Sequence, residues 1–456
     1  MQNKKRLPKI LIVGAIIIAS LLVIIAGFHF FTNRNKSSSN YQYSGNNSNY
    51  TDYSYGNYSA ENSSQNNNGN YIPNMPSDVA SCGNGNAVFS VSPIPLSSIS
   101  YIEPLGHVNP PGHVFPINHL YLYLPLDSQR TALKTEVSSP GNITIFKIER
   151  FQYYTDSSRT TISRTDYTLS FAPCSDISGF FYHLTSLSDK ILNSFTSPFD
   201  YCNNVTAGDE IFQSCGKYVD VKINAGENIG TAGGQPQGSQ ALDWVLEDFR
   251  IKPLEYANDS RFSESTGQDY SRYIVCPLDY FTGDLQNSLY GFLGGYAIDN
   301  PFTTISKRTA GPLCGTTAQD ILGTAQGNWF VGGASPSMFS EEPNLALIHD
   351  DINTNIGIFS VGTSMSSSGL DGGAYYFTPS NSGLTDTDFS NVKPDGNVYC
   401  YQATEKLYSN IESAAPTVAI ILQLVSPDEL KIEKLNSGSC AAGPWSFSSS
   451  AQTFYR

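Results

Sequence analysis

Residues 10–31 form an apolar run in which only Ser20 and His29 are polar, and Lys4, Lys5, Arg6 and Lys9 precede it. As a helix rising about 1.5 Å per residue, the run spans about 33 Å, enough to cross a hydrocarbon core. Positive charges before a span keep that side in the cytoplasm, so everything after it is expected outside. Arg34 and Lys36 weaken this bias without reversing it. A cleaved signal peptide is the competing reading, but its apolar core is usually about 7–15 residues and ends in a small-x-small site. Residues 24–27 match such a site poorly. Either reading exports the rest of the chain. The expectation is a single-pass protein of the cell membrane, with residues 1–32 as cytoplasmic tip and anchor and a C-terminal ectodomain.

Eight cysteines follow the run: Cys82, Cys174, Cys202, Cys215, Cys276, Cys314, Cys400 and Cys440. An even number of widely spaced cysteines without a Cys-x-x-Cys pair reads as disulfides in an exported chain. Four lie on each side of residue 253, so each half can pair internally. Residues 33–76 are nearly all Asn, Ser, Tyr and Gly. That tract has no apolar periodicity from which to build a core, so it reads as a flexible stalk of about 35–40 Å mean reach. Charged residues make up 14% of the chain, well below the usual quarter or so. Solvation therefore leans on Ser, Thr, Asn and Gln, and Asn142, Asn204 and Asn258 stand in Asn-x-Ser/Thr triplets that can accept glycans. The net charge of -14 argues against a nucleic-acid partner.

Beyond the stalk the chain reads as mainly β. Stretches 143–150, 165–171, 218–223, 357–361, 374–378, 398–402, 417–424 and 429–433 have strand character, with Gly and Pro between them. Helical character is confined to 188–194 and, interrupted by Pro343, to 340–347. About 375 residues exceed one β core, so two domains are expected, 77–252 and 253–456. The second reads as a sandwich or barrel.

Five segments within residues 100–250 carry a family resemblance. They are His113-Val-Phe-Pro-Ile-Asn-His119-Leu-Tyr-Leu-Tyr123, the turn around Gly141, Phe181-Tyr182-His183-Leu184, residues 221–230 ending in Ile229-Gly230, and Ala241-Leu242-Asp243-Trp244. In order and spacing they resemble the lysostaphin-type zinc endopeptidases, which cut peptidoglycan cross-bridges. The resemblance implies a twisted antiparallel sheet with a substrate groove. It places His119 and Asp243 at metal-ligand positions and His183 at a catalytic position. It also implies a dismantled site, because Tyr123 replaces a ligand Asp, and Ala241 and Asp243 replace two histidines. A catalytic zinc needs three protein ligands and one open position. Hence no cofactor is expected, zinc being the one candidate. A rearranged site drawing on His107, His113, His119 and Asp243 is the alternative arrangement.

Other constellations read more plainly as structure. His349-Asp350-Asp351 reads as a turn. Asp279 and Asp284 read as a solvated loop. Gly362-Thr-Ser-Met-Ser366 lacks the final Gly of a nucleophile elbow. Residues 326–330, with Trp329, are the candidate exposed aromatic loop. The functional expectation is a degenerate, non-catalytic peptidase-like domain that binds peptide, glycan or cell-wall polymer. A metal-dependent cell-wall hydrolase with altered ligands and a structural envelope protein are the alternatives. The anchor expectation is checked by alkaline carbonate extraction: the chain should stay in the membrane pellet, and deletion of residues 10–31 should abolish that retention.

Overall fold

The computed structural model describes residues 75–456 except 208–209, 263–271, 300–303, 333–340, 382, 407–415 and 442, together with the backbone at 64–65 and 71–72. The anchor and nearly all of the stalk lie outside the described residues. Among the described residues no helix is long and apolar enough to cross a membrane. The fold is mainly β, as expected: a large antiparallel sheet followed by a closed eight-stranded barrel.

The ten strands of the large sheet are β1 (Tyr101–Glu103), β2 (Leu120–Tyr123), β3 (Thr135–Ser138), β4 (Ile143–Tyr154), β5 (Ile162–Cys174), β6 (Ile177–Leu187), β7 (Tyr201–Ala207), β8 (Glu210–Ile223), β9 (Asn228–Ala232) and β10 (Ala241–Asp248). Their spatial order is β1-β2-β10-β6-β5-β4-β8-β7, with β9 pairing both β3 and β6. Side chains alternate across a sheet, and the two faces here differ sharply. Ile102 pairs with Leu122 and Leu122 with Leu242, while Leu120, Trp244 and Phe181 form the adjoining row. These side chains are fully buried and face one core. The opposite face carries the row Glu103, Tyr121, Asp243, Tyr182, one residue from each of four neighbouring strands.

The described residues of 253–326 include two short strands, 294–295 and 306–307, the α-helix Gly283–Tyr290 and the 3-10 turns Asp259–Phe262 and Pro277–Tyr280. They complete the large sheet's core. Tyr280, Phe281, Leu289 and Leu293 pack there beside Phe89 and Trp244. Cys276–Cys314 staples this segment. The barrel follows as β11 (Gly327–Val331), β12 (Leu345–His349), β13 (Gly357–Val361), β14 (Gly373–Phe377), β15 (Tyr399–Glu405), β16 (Thr417–Ser426), β17 (Glu429–Leu435) and β18 (Gln452–Tyr455), each paired with the next. Pairing of Phe330 with Tyr455 and Val331 with Phe454 closes it. Its interior is filled with side chains. Phe359, Phe377, Phe389 and Tyr401 form a knot with centroid separations of 4.8 to 5.7 Å.

Two barrel strands differ from the sequence reading. Residues 345–349 are strand, not helix, because Leu345 and Leu347 point into the barrel while Ala346 and Ile348 point outward. Such two-sided burial reads as a continuous apolar run, which periodicity alone cannot assign. Residues 327–331 are strand, not exposed loop: Trp329 is fully buried, and its indole N–H donates to the Ala325 carbonyl.

All eight cysteines are bridged: Cys82–Cys174, Cys202–Cys215, Cys276–Cys314 and Cys400–Cys440. Four disulfides point to an extracytoplasmic compartment. The spans they close are 92, 13, 38 and 40 residues. Chain entropy makes the longest closure the most stabilising, so removing Cys82–Cys174 by a double Ser substitution should cost about 4.5 kcal/mol. Removing Cys202–Cys215 should cost about 3 kcal/mol. Denaturant midpoints of the two variants under oxidising conditions check the order.

Candidate functional site

The polar face is assembled by register and by one irregularity. Asp243 on β10 lies opposite Tyr121 on β2 and Tyr182 on β6. His119 immediately precedes β2. His183 reaches the same face through a bulge: between β5 and β6, the partner pairs Tyr167–Leu184 and Leu169–Phe181 leave one extra residue on β6. Its φ of 66° lies in the left-handed region, which costs a non-glycine residue about 1 kcal/mol or more. That conformation brings the imidazole toward Asp243.

His119, His183 and Asp243, the three candidate residues from sequence, therefore converge. Asp243 Oδ2 lies 3.3 Å from His183 Nε2 and 3.5 Å from His119 Nε2. A fourth member was not legible: Asp166 on β5 lies 3.5 Å from His183 Nδ1. His119 Nδ1 donates to the Asn118 amide oxygen at 2.8 Å, which fixes the tautomer and leaves Nε2 with its lone pair. His119 and Asp243 are 9% and 3% exposed, whereas the His183 side chain is 37% exposed. His183 is thus the cluster's opening to solvent. His119 Nε2, Asp243 Oδ1 and Asp166 Oδ1 are buried without a hydrogen-bond partner.

The two imidazoles are driven apart in basicity. Burial lowers His119 to about 4, against the pull of Asp243. Burial also opposes charge on His183, but Asp243 and Asp166 outweigh it and raise the group to about 10. One neutral and one protonated imidazole therefore share a single carboxylate at neutral pH. Burial also raises the Tyr121 hydroxyl well above its ordinary value, so it stays a donor.

The residues do not fit the zinc that the resemblance implies. Three donors must close on one ion. The atoms of His119, His183 and Asp243 do not all lie within 4.8 Å of one another; among the described residues that closure is met by Glu103, His107 and Asp351. Tyr123 turns instead to stack on Tyr101, centroids 4.4 Å apart, and Ala241 offers no donor. Nor do His107, His113 and His119 meet in a rearranged site with Asp243. His113 lies 3.4 Å from Glu341 of the barrel segment, and His107 lies 3.3 Å from Asp351 and 3.5 Å from Glu103.

The turn reading of 349–351 captures only part of its role. Asp350 accepts from the N–H groups of Asn353 and Ile298, but Asp351 faces His107. Asp279 accepts from the Tyr290 hydroxyl, and Asp284 lies in the first turn of the helix 283–290. A cavity of about 180 Å³ opens beside Glu103, lined also by Tyr101, His107, Tyr123, Tyr296 and Lys406. A larger cleft of about 800 Å³ runs among Ile251, Ile274, Asp279 and Leu313, but its one carboxylate is the already bonded Asp279. Comparisons with family models, curated proteins and solved structures return no match for this chain.

The basicity split has opposite consequences on the two sides of neutrality. His183 is raised above an unfolded value near 6.5, so its stabilisation is complete below that pH and is lost toward pH 10. His119 is lowered, so its contribution is present above pH 6.5 and is lost toward pH 4. His183→Gln should flatten the alkaline limb of stability against pH, and His119→Gln the acid limb. Denaturant midpoints between pH 4 and 10, with imidazole NMR titration, check both.

Proposed function

We propose that the chain is a membrane-anchored, extracytoplasmic protein that binds a peptide, glycan or cell-wall polymer along the polar face of its large sheet without cleaving it. The observation that carries this reading is the row Glu103, Tyr121, Asp243, Tyr182, laid across four strands and ending at a cavity. Aromatic rings with a few fixed polar groups are what extended ligands use for orientation and area. The four disulfides support placement outside the cytoplasm, with residues 10–31 as anchor and 33–76 as stalk.

The lysostaphin-type resemblance supports the groove. Its five segments reach β2, β3, β6, β9 and β10, and these strands are neighbours: β10 pairs β2 and β6, and β9 pairs β3 and β6. A sheet makes such a groove with or without a metal, so binding can outlast lost catalysis. The shared carboxylate supports the non-catalytic side. Asp243 is flanked by both imidazoles, and the position of the family's other histidine holds Ala241. One observation favours a metal-dependent hydrolase with altered ligands instead: His119 Nε2 is buried with a free lone pair.

Pull-down on purified cell walls, with reducing-end and free-amine assays of the supernatant, separates the two. The expected result is retention on the wall, weakened about tenfold or more by Tyr121→Ala with Tyr182→Ala, and no soluble product. Soluble product that stops on adding chelator, and is lost in His119→Ala, would establish the hydrolase. No retention on wall polymers would sink the binding reading.

A further inference from the structure

We infer that Glu103, His107 and Asp351 form a divalent metal site that joins the large sheet to the barrel. The three donors come from three elements: Glu103 from β1, His107 from the connection to β2, and Asp351 from the turn between β12 and β13. One ligand atom from each lies within 4.8 Å of the others. Glu103 and Asp351 are 3% and 5% exposed.

An ion pair alone leaves this cluster incompletely satisfied. Charge-assisted hydrogen bonds to a carboxylate usually run about 2.7–2.9 Å. Here the same nitrogen, His107 Nδ1, lies 3.3 Å from Asp351 and 3.5 Å from Glu103, and one N–H cannot serve both well. Asp351 Oδ2 is buried with no hydrogen-bond partner at all. Bonds of about 2.1 Å to one ion set donor–donor edges of about 3.0–3.4 Å in octahedral or tetrahedral geometry. The two observed separations are within reach of those edges after small side-chain shifts.

The surroundings hold the donors in place and leave room for more ligands. Gly295 lies so close that a Cβ there would fall 2.5 Å from Glu103 Oε1. Gly106, at φ 95°, sets the turn before His107, and a Cβ there would meet the Thr316 carbonyl at 2.4 Å. The Asp351 main-chain carbonyl accepts from the buried Arg308 guanidinium. The Leu105 N–H donates to Cys314, inside the disulfide-stapled segment. The cavity of about 180 Å³ touching Glu103 and His107 can take water or a ligand oxygen on the open positions. Two carboxylates and one imidazole suit a first-row divalent ion such as Mn²⁺ or Zn²⁺. The site shares Glu103 and the cavity with the end of the proposed binding row, but it rests on its own donors and is read by metal uptake rather than by wall binding.

The test uses the full chain in detergent, stripped with chelator, dialysed, and titrated with Zn²⁺ and Mn²⁺ by calorimetry and elemental analysis. One equivalent of ion is expected in the wild type and in a His119→Ala, His183→Ala variant. Affinity should fall at least about 100-fold in His107→Ala and in the isosteric Asp351→Asn, since even outer-shell losses cost about 10–100-fold. The second variant serves if the first does not fold. A wild type that takes up no ion tighter than millimolar would overturn the proposal. So would a stoichiometry unchanged by Asp351→Asn. Loss of the ion in the His119, His183 variant instead would place it in the other cluster and would also overturn it.

Discussion

Between the sheet and the barrel lies a small apolar contact on which the polar face depends. Ala346, Ile348 and Ile358 point out of the barrel wall and pack with Val108, Val114 and Phe115 from the connection between β1 and β2. That connection also carries His107 and His113, and it ends at His119. A segment rich in Gly and Pro would have little structure of its own. Pressed against the barrel, and tied to it by the bond from the Phe115 N–H to Glu341, it gains a fixed path. Burial of apolar side chains supplies the energy, and the polar groups beside them are placed as a consequence. The barrel can do this because side chains alternate along its strands: Leu345 and Leu347 fill its interior while Ala346 and Ile348 face the connection.

The polar face is an economy of charge in a chain with few charges. Glu103, Asp166, Asp243, Asp350 and Asp351 are all buried, and the cations that meet them are mostly histidines and one arginine. Burial raises Glu103 to about 7 and Asp350 to about 8. His107 is raised to about 10: burial opposes its charge, and the nearby carboxylates prevail. Buried charge of this kind rarely adds net stability over an apolar core. Two of these carboxylates, Glu103 and Asp350, line the cavity of about 180 Å³ beside the sheet.

Much of the β content was legible because its signals are local. The strand 357–361 and the strands beginning at 417 and 429 were readable from β-branched content between turns, and the structure places strands there. Residues 327–331 and 345–349 read as loop and helix rather than strand, since burial on both sides erases alternation. His119, His183 and Asp243 were singled out by the family resemblance, and their side chains come together. Asp166 and Glu103 carried no signal, and Asp351 read only as part of a turn. Asp166 sits in a strand of mixed polarity, and Glu103 and Asp351 are 248 residues apart in sequence. Nothing local says that a turn of the barrel will come to rest on the first strand of the sheet. The bulge that turns His183 was equally silent, because it is a property of pairing rather than of composition.

The bridge from Cys82 to Cys174 joins the start of the globular part to the end of β5, deep in the sheet. A tension applied to the chain ahead of Cys82 cannot peel the following residues away one hydrogen bond at a time. It passes through a covalent link into the interior of a ten-stranded sheet, where strands must shear together or not at all. A pull on the residues ahead of Cys82 therefore meets the combined strength of the sheet rather than that of a single edge.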